Sequence, residues 1–126
     1  MAEFHIQGGA RLSGEVIASG NKNSALPLLA ATLLTDEPVT LHNVPRIRDV
    51  LMLIELIQTL GATTEWTGPN SVRINAGGVS ACAIDPKLSR EIRASILLAG
   101  PMLARCGSVT LPPPGGDVIG RRRLDT

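Results

Sequence analysis

Aromatic residues are scarce in this chain: its 126 residues include one Phe, one Trp and no Tyr. Proteins that bind single-stranded nucleic acid stack the bases on aromatic side chains, so the composition argues against that class. Twelve Lys and Arg residues stand against eleven Asp and Glu residues, which leaves a formal net charge of +1. The chain therefore lacks the excess of basic residues that would favour a nucleic acid or a membrane surface as the partner.

Cysteine and long apolar segments are scarce as well. Cys82 and Cys106 are too few for a disulfide framework, and they show no zinc-site spacing, so we expect two reduced, half-buried thiols. The apolar runs Ala25–Leu34 and Ala94–Ala104 fall short of the ~20 residues of a membrane-spanning helix. The N-terminus lacks the basic flank and apolar stretch of a signal peptide. These features predict a cytoplasmic protein.

Hydrophobic periodicity predicts a mixture of short strands and helices, and the 44% hydrophobic content is typical of a globular domain. The predicted strands are Phe4–Gln7, Leu12–Ile17, Val39–Leu41, Thr63–Thr67, Ser71–Ile74 and Val109–Leu111, of which the fourth and fifth form a hairpin. The predicted helices are Ala25–Leu34, Ile47–Leu60 and Pro86–Arg105, the last with an irregularity at Gly100-Pro101.

An internal repeat relates the two halves of the chain. Val39-Thr40-Leu41 recurs as Val109-Thr110-Leu111, at an offset of 70 residues. At the same offset, the predicted helix Ala25–Leu34 falls on the apolar stretch 95–104. A repeat of this kind predicts one supersecondary unit that is used more than once.

Three polar features are candidates for a functional site. The loop Ser19–Ser24 precedes a helix, where backbone N–H groups and the helix dipole favour an anion, and Lys22 adds a full positive charge. Arg93 lies in an apolar run, so its guanidinium group needs a partner or a cleft. The glycine-rich segment Gly115–Gly120 predicts a loop. It is not a phosphate-binding P-loop, because no Gly-Lys-Ser/Thr sequence follows it.

Five segments, in order along the chain, resemble the UDP-N-acetylglucosamine 1-carboxyvinyltransferases, a family of bacterial enolpyruvyl transferases. The similarity runs from Met1 to Thr126. The segments that carry it are Phe4–Gly8, Ser19–Pro27, Leu41–Pro45, Arg93–Ile96 and Gly115–Gly120.

The resemblance implies an α/β (α+β) fold, an inside-out α/β barrel of repeated βαβαββ units, with one complete unit here and the start of a second. Residues 1–20 would be strands that pack on the other domain. Residues 21–105 would form the first unit with the helix that begins the next, and residues 106–126 the strand and catalytic loop of an incomplete second unit. We expect such an N-terminal part to be inactive alone and to self-associate through exposed apolar surface.

The family transfers the enolpyruvyl group of phosphoenolpyruvate to the 3′-hydroxyl of UDP-N-acetylglucosamine and releases phosphate, the first committed step of peptidoglycan synthesis. By position, Lys22 is catalytic and binds phosphoenolpyruvate together with Asn23. The resemblance implies small-molecule substrates and no metal or other cofactor. The positions that match contacts to UDP-N-acetylglucosamine are Arg93, Arg122, Arg123, Leu124, Asp125 and Thr126.

Asp117 is the main departure from the family pattern. Most members carry cysteine at this position, where it is the general acid and the target of the antibiotic fosfomycin, and some carry aspartate. The resemblance therefore implies that Asp117 is the proton donor, which requires that its surroundings raise the pKa of a carboxylic acid. Pro113-Pro114 and Arg123 also differ from the usual loop sequence.

Other functions stay open at this stage. A related transferase acts on shikimate 3-phosphate, but its loop usually reads Ser-Lys-Ser where this chain has Asn21-Lys22-Asn23. A binding module that kept the sugar-nucleotide face and lost catalysis is a second alternative. A nucleic-acid module based on Arg121–Arg123 is disfavoured by the near-neutral charge and the missing aromatics.

Asp117 predicts resistance to fosfomycin, because a carboxylate is a far poorer nucleophile toward the epoxide than a thiolate. Mass spectrometry of the full-length protein after incubation with fosfomycin should show an unchanged mass. A covalent adduct on Asp117 would contradict the prediction.

Overall fold

The computed structural model describes residues 2–116, in which helices pack beside a small sheet. The α-helices are α1 (Lys22–Ala31), α2 (Arg48–Thr59), α3 (Pro86–Glu91) and α4 (Ala99–Cys106), and 3₁₀ segments span Thr32–Leu34 and Arg93–Leu98. The strands are β1 (Val39–Leu41), β2 (Thr63–Gly68) and β3 (Ser71–Asn75). The predicted α/β class is confirmed, as are the first strand of the repeat and the hairpin.

The three strands form one antiparallel sheet in the order β1–β3–β2. Successive side chains of a strand point to opposite faces. In β3, Val72 and Ile74 are fully buried, whereas Arg73 between them is exposed. The sheet therefore covers the helices with one face and meets solvent with the other.

Helix α2 supplies much of the core. Its predicted range, Ile47–Leu60, is confirmed with one capping residue at each end. Gly61, directly after the cap, has φ 110°, a left-handed conformation that glycine adopts without steric cost. The buried side chains recur at helical spacing along one stripe: Val50, Leu53, Ile54, Leu56 and Ile57.

Helix α1 begins earlier than the sequence predicts, at Lys22. The cap is Asn21, whose side chain accepts a hydrogen bond from the backbone N–H of Asn23 at 2.7 Å. Pro27 consequently lies inside the helix and not in its first turn. The predicted C-terminal part, Thr32–Leu34, tightens into a 3₁₀ turn.

The predicted helix Pro86–Arg105 is interrupted near its middle. Ile92 has the extended backbone angles φ −136° and ψ 141°, and the 3₁₀ segment Arg93–Leu98 follows it. The predicted irregularity at Gly100-Pro101 is wrong, because both residues lie in the first turn of α4, where the missing N–H of proline costs no intrahelical hydrogen bond.

The predicted strand Val109–Leu111 is reduced to a single parallel bridge between Thr110 and Ala83. The N–H of Thr110 donates to the carbonyl of Cys82 at 3.2 Å, and the N–H of Ile84 donates to the carbonyl of Thr110 at 3.0 Å. Two hydrogen bonds with one neighbouring segment are too few for a ladder of paired strands. The second copy of the repeat therefore has its elements in the same order as the first, but it lacks the strand.

Residues 2–20 contain no helix or strand, so the predicted strands Phe4–Gln7 and Leu12–Ile17 are wrong for this chain. A strand pairs its N–H and C=O groups with a neighbouring strand, and within residues 2–116 none lies beside this segment. The alternating apolar side chains that predicted the strands are instead 89–94% exposed: Phe4, Ile6, Leu12, Val16 and Ile17.

The expectation of two reduced thiols is also corrected. Cys82 and Cys106 form a disulfide, with a Cα–Cα distance of 6.1 Å that lies in the usual range. The bridge ties the end of α4 to the segment that pairs with Thr110. The sequence spacing gave no signal for this pair, because the fold alone brings the two residues together.

Two adjacent leucines of α1 test the assignment of the core. Leu29 is fully buried, whereas Leu28 is 52% exposed. We expect Leu29→Ala to lower the free energy of unfolding by about 2–5 kcal/mol, because it leaves a cavity. The matched variant Leu28→Ala should change it by less than about 0.5 kcal/mol. Chemical denaturation measures both, and equal losses would contradict the packing described here.

Candidate functional site

The N-terminus of α1 carries two of the predicted site residues. Lys22 and Asn23 are the first two residues of the helix, directly after the Asn21 cap. The carbonyl of Asn21 accepts hydrogen bonds from the N–H groups of Ser24 and Ala25 at 3.2 and 3.0 Å. The side chain and the carbonyl of Asn21 both accept hydrogen bonds, so the first residue of the helix is well defined. The exposed side chains of Lys22 and Asn23 therefore start from fixed backbone positions.

A close backbone contact fixes the chain just before α1. A Cβ atom on Gly20 would lie 1.8 Å from the carbonyl oxygen of Asn43 and 2.9 Å from Cδ of Pro45. Asn43 itself has φ 55°, a left-handed conformation that asparagine tolerates better than most residues. The chain can pass this turn only because residue 20 has no side chain.

Lys22 contacts the first turn of α2. Its Nζ donates to Oδ2 of Asp49 at 2.8 Å. The two side chains are 51% and 39% exposed, so solvent screens the pair and its contribution to stability is small. The pair places the Lys22 ammonium group beside Asp49, and both residues line one cavity.

A second ion pair joins α2 to the end of α3. A guanidinium nitrogen of Arg48 donates to Oε2 of Glu91 at 2.8 Å. Immediately after Glu91 the chain turns extended at Ile92, and Arg93 follows as the first residue of the 3₁₀ segment. Arg93 is half-buried, and this interruption of the helix is what brings its position to the same side as Lys22.

The glycine-rich loop begins against the same stretch of chain. The N–H groups of Gly115 and Gly116 donate to the carbonyls of Ser89 and Arg90 at 3.1 and 3.2 Å. Gly116 lines the same cavity as Arg93. The beginning of the loop is thus bonded to the last turn of α3.

These elements enclose an open cavity of about 420 Å³. Three predicted site residues meet there: Lys22, Asn23 and Arg93. Three cationic side chains and two carboxylates line it, so the charge of the lining is positive by one. Such a cavity suits a small anionic ligand. The full set of lining residues is Lys22, Asn23, Leu26, Arg48, Asp49, Glu91, Ile92, Arg93, Ala94 and Gly116.

The other predicted site residues lie outside the described part of the chain, residues 2–116. Their roles therefore stay predictions. They are Asp117, Arg122, Arg123, Leu124, Asp125 and Thr126.

Sequence reasoning missed Arg48, Asp49 and Glu91. An acidic residue in the first turn of a helix ordinarily complements the helix dipole, so Asp49 gave no distinct signal. Arg48 and Glu91 are 43 positions apart and come together only in the fold. A weak signal was available for Glu91, since it stands two residues before the arginine that needed a partner or a cleft.

Two other features are absent from residues 2–116. No three side chains of His, Cys, Asp or Glu gather there in an arrangement that would hold a metal ion. No helix in that part of the chain combines the length and the apolar character needed to cross a bilayer.

Comparison with known families gives a match over nearly the whole chain. Residues 6–126 match the model of the EPSP synthase family, 3-phosphoshikimate 1-carboxyvinyltransferase. Among solved structures, the enolpyruvyl transferase NikO from Streptomyces tendae superposes with a TM-score of 0.67 and 30% sequence identity. That match covers 79% of this chain and 23% of the NikO chain.

Among curated proteins, this chain is similar to enzymes named UDP-N-acetylglucosamine 1-carboxyvinyltransferase. It is 64% identical to that of Bradyrhizobium diazoefficiens over 98% of the chain, and 50% identical to that of Treponema denticola over 100%. It spans 29% and 30% of the length of these two relatives.

The contact at Gly20 yields a stability prediction. We expect Gly20→Ala to lower the free energy of unfolding by about 1–3 kcal/mol, because the new Cβ must displace the Asn43 carbonyl. Gly8→Ala is the matched control: no atom lies within 4 Å of a Cβ there, and we expect a change below about 0.5 kcal/mol. Thermal or chemical unfolding that fails to separate the two variants would show that the Gly20 contact does not hold the α1 start.

Proposed function

Because this chain belongs to the EPSP synthase family, we propose that the full-length gene product transfers the enolpyruvyl group of phosphoenolpyruvate to the 3′-hydroxyl of UDP-N-acetylglucosamine and releases phosphate. The observation that carries the proposal is the meeting of Lys22, Asn23 and Arg93 in one cavity. The names of the relatives at 64% and 50% identity support UDP-N-acetylglucosamine as the acceptor. Since the chain spans about 30% of their length, it supplies one part of the site.

The acceptor hydroxyl gives its proton to a base as its oxygen bonds to C2 of phosphoenolpyruvate, while C3 takes up a proton from the acid. The resulting tetrahedral ketal then loses phosphate from C2 and a proton from C3, which restores the double bond. Negative charge stays on the phosphate and the carboxylate throughout, so the site must supply cations at fixed positions.

Lys22 is the proposed phosphate contact. Its ammonium group stands at the N-terminus of α1, where helix N–H groups also favour an anion. Asp49, at 2.8 Å, is the group that the phosphate would replace. Binding would exchange one partly exposed carboxylate for a more highly charged ligand.

Asn23 and Arg93 are the proposed orienting residues. An amide both donates and accepts hydrogen bonds, so Asn23 can hold a sugar hydroxyl near the reacting carbon. Arg93 offers a planar set of donors, which suits a bidentate contact with a substrate anion. Arg122, Arg123, Leu124, Asp125 and Thr126 are proposed, from the family resemblance alone, to contact the UDP-N-acetylglucosamine.

Asp117 is the proposed proton donor to C3. It follows Gly116 in the sequence, and Gly116 lines the cavity. A carboxylic acid supplies the proton that a cysteine thiol supplies in most relatives, as the resemblance implies. The roles of Asp117 and Lys22 are independent, since one moves a proton and the other screens charge.

The proposal extends to the cellular role. It places the reaction in the cytoplasm and in peptidoglycan synthesis, and hence in cell-wall growth and division. It also keeps the division of the chain at residues 1–20, 21–105 and 106–126, and the self-association of this part of the protein through exposed apolar surface. A disulfide such as Cys82–Cys106 is uncommon in a reducing compartment. A count of free thiols on protein purified without reductant therefore tests the proposed cytoplasmic location.

A second acceptor deserves a direct comparison because the matching family model carries the name of the shikimate 3-phosphate enzyme. Phosphate release from phosphoenolpyruvate, measured on the full-length protein with each acceptor, separates the two. We expect release with UDP-N-acetylglucosamine alone. Release with shikimate 3-phosphate alone would overturn the proposed acceptor, and no release with either would favour a binding module.

Lys22 gives the sharpest variant test. We expect Lys22→Met to lower kcat/KM for phosphoenolpyruvate by about a hundredfold to a thousandfold, the usual loss when one charge-stabilising donor is removed. Lys87→Met, at an exposed position of α3 outside the cavity, is the matched control and should keep full activity. Similar kcat/KM values for the two variants would refute the role of Lys22.

A further inference from the structure

The end of α3 leaves two carbonyl groups that a continuous helix would satisfy. In such a helix, the carbonyls of Ser89 and Arg90 would accept from the N–H groups of the residues four positions later. The extended conformation of Ile92 prevents this. Their donors are instead the N–H groups of Gly115 and Gly116, at 3.1 and 3.2 Å. The loop therefore replaces the missing turn of the helix.

The fit of the loop on this helix end leaves no room for side chains. A Cβ on Gly115 would lie 1.5 Å from the carbonyl oxygen of Arg90. Gly116 has φ 91°, and a Cβ there would lie 2.9 Å from the backbone nitrogen of Arg93. The start of the loop thus lies against the backbone of Arg93.

A buried serine spans the interruption. Ser95 Oγ lies 3.0 Å from the carbonyl of Ile92, the extended residue itself, and 3.2 Å from the carbonyl of Ser89 in α3. A hydroxyl has one proton, so the two carbonyls share it. Ser89 Oγ in turn donates to Ser95 Oγ at 3.1 Å. Both serines are fully buried, which makes these hydrogen bonds costly to lose.

We propose that Ser95 is a positioning residue of the site: it holds the interruption at Ile92 in the geometry that places Arg93 at the cavity and receives the start of the glycine-rich loop. Ser95 does not line the cavity, so it acts through Arg93 and the loop and has no contact with a ligand there. The kinetic consequences of this inference rest on the proposed function, whereas its structural consequences do not.

The competing interpretation is that Ser95 only fills the core. Ser89 provides the matched control, because it is equally buried and differs in one respect. Its hydroxyl donates to Ser95, whereas the Ser95 hydroxyl contacts the carbonyl of Ile92, at the interruption, and the carbonyl of Ser89 in α3. Ser89→Ala and Ser95→Ala each remove one hydroxyl oxygen from the same part of the core. Only Ser95→Ala removes the bridge, that is, the hydroxyl that contacts the carbonyls of Ser89 and Ile92.

The test compares Ser89→Ala, Ser95→Ala and the double variant in the full-length protein, with two readouts. The first is kcat/KM for phosphate release, together with kcat and KM separately. The second is the hydrogen-exchange rate of the Gly115 and Gly116 amides. We expect Ser95→Ala to lower kcat/KM about tenfold to a hundredfold through misplacement of the reacting groups. It should also speed exchange at both amides, whereas Ser89→Ala keeps both readouts within about threefold of the parent, since it loses one neutral hydrogen bond.

The double variant removes a remaining ambiguity. Ser95→Ala leaves the Ser89 hydroxyl buried without an acceptor, and that stranded donor alone destabilises the protein. The double variant has no stranded hydroxyl but still lacks the bridge. If it keeps the kinetic loss and the fast exchange, the bridge is responsible, and recovery of both readouts would overturn the proposal.

Two other results would also overturn it: equal effects of the two single variants, or unchanged amide exchange in Ser95→Ala. A failure of the proposed function is distinguishable from these. In that case the parent protein releases no phosphate with either acceptor, while the exchange of the Gly115 and Gly116 amides still decides whether Ser95 holds the loop.

Discussion

A helix that stops must find donors for its last carbonyl groups, and the site of this molecule depends on how α3 meets that requirement. The chain turns extended at Ile92, and the N–H groups of Gly115 and Gly116 bond to the carbonyls that the turn leaves open. Since Arg93 is the residue directly after Ile92, the extended turn orients the arginine and also anchors the loop. Lys22, at the start of α1, faces the cavity that results.

The parts of the fold that depend on local pattern were predictable from the sequence. Alternation and helical spacing located β1, the hairpin and α2, because each of these elements buries one face against the core. The site residues Lys22, Asn23 and Arg93 were found for two different reasons. The first two belong to a polar segment at the start of a helix, while Arg93 was conspicuous as a charge in an apolar run, and the structure brings all three to one cavity.

The parts that depend on tertiary contacts were not predictable. No local signal marks Ile92 as extended, because the extended turn is stabilised by Ser95 and by the loop that arrives more than twenty residues later. The Cys82–Cys106 pair likewise forms only once α4 lies beside the preceding segment. The alternation in residues 2–20 is real, but a strand also needs a neighbour, which the pattern of one segment cannot supply.

The central proposal is that Lys22 and Arg93 bind the substrates in one cavity beside the anchored loop. A crystal structure of the full-length protein with phosphoenolpyruvate and UDP-N-acetylglucosamine tests it most directly. We expect phosphate oxygens within hydrogen-bond distance of Lys22 Nζ, with the Asp49 carboxylate displaced from it, and Arg93 in contact with a substrate group. Substrate bound away from this cavity, with the Lys22–Asp49 pair intact at 2.8 Å, would contradict the account.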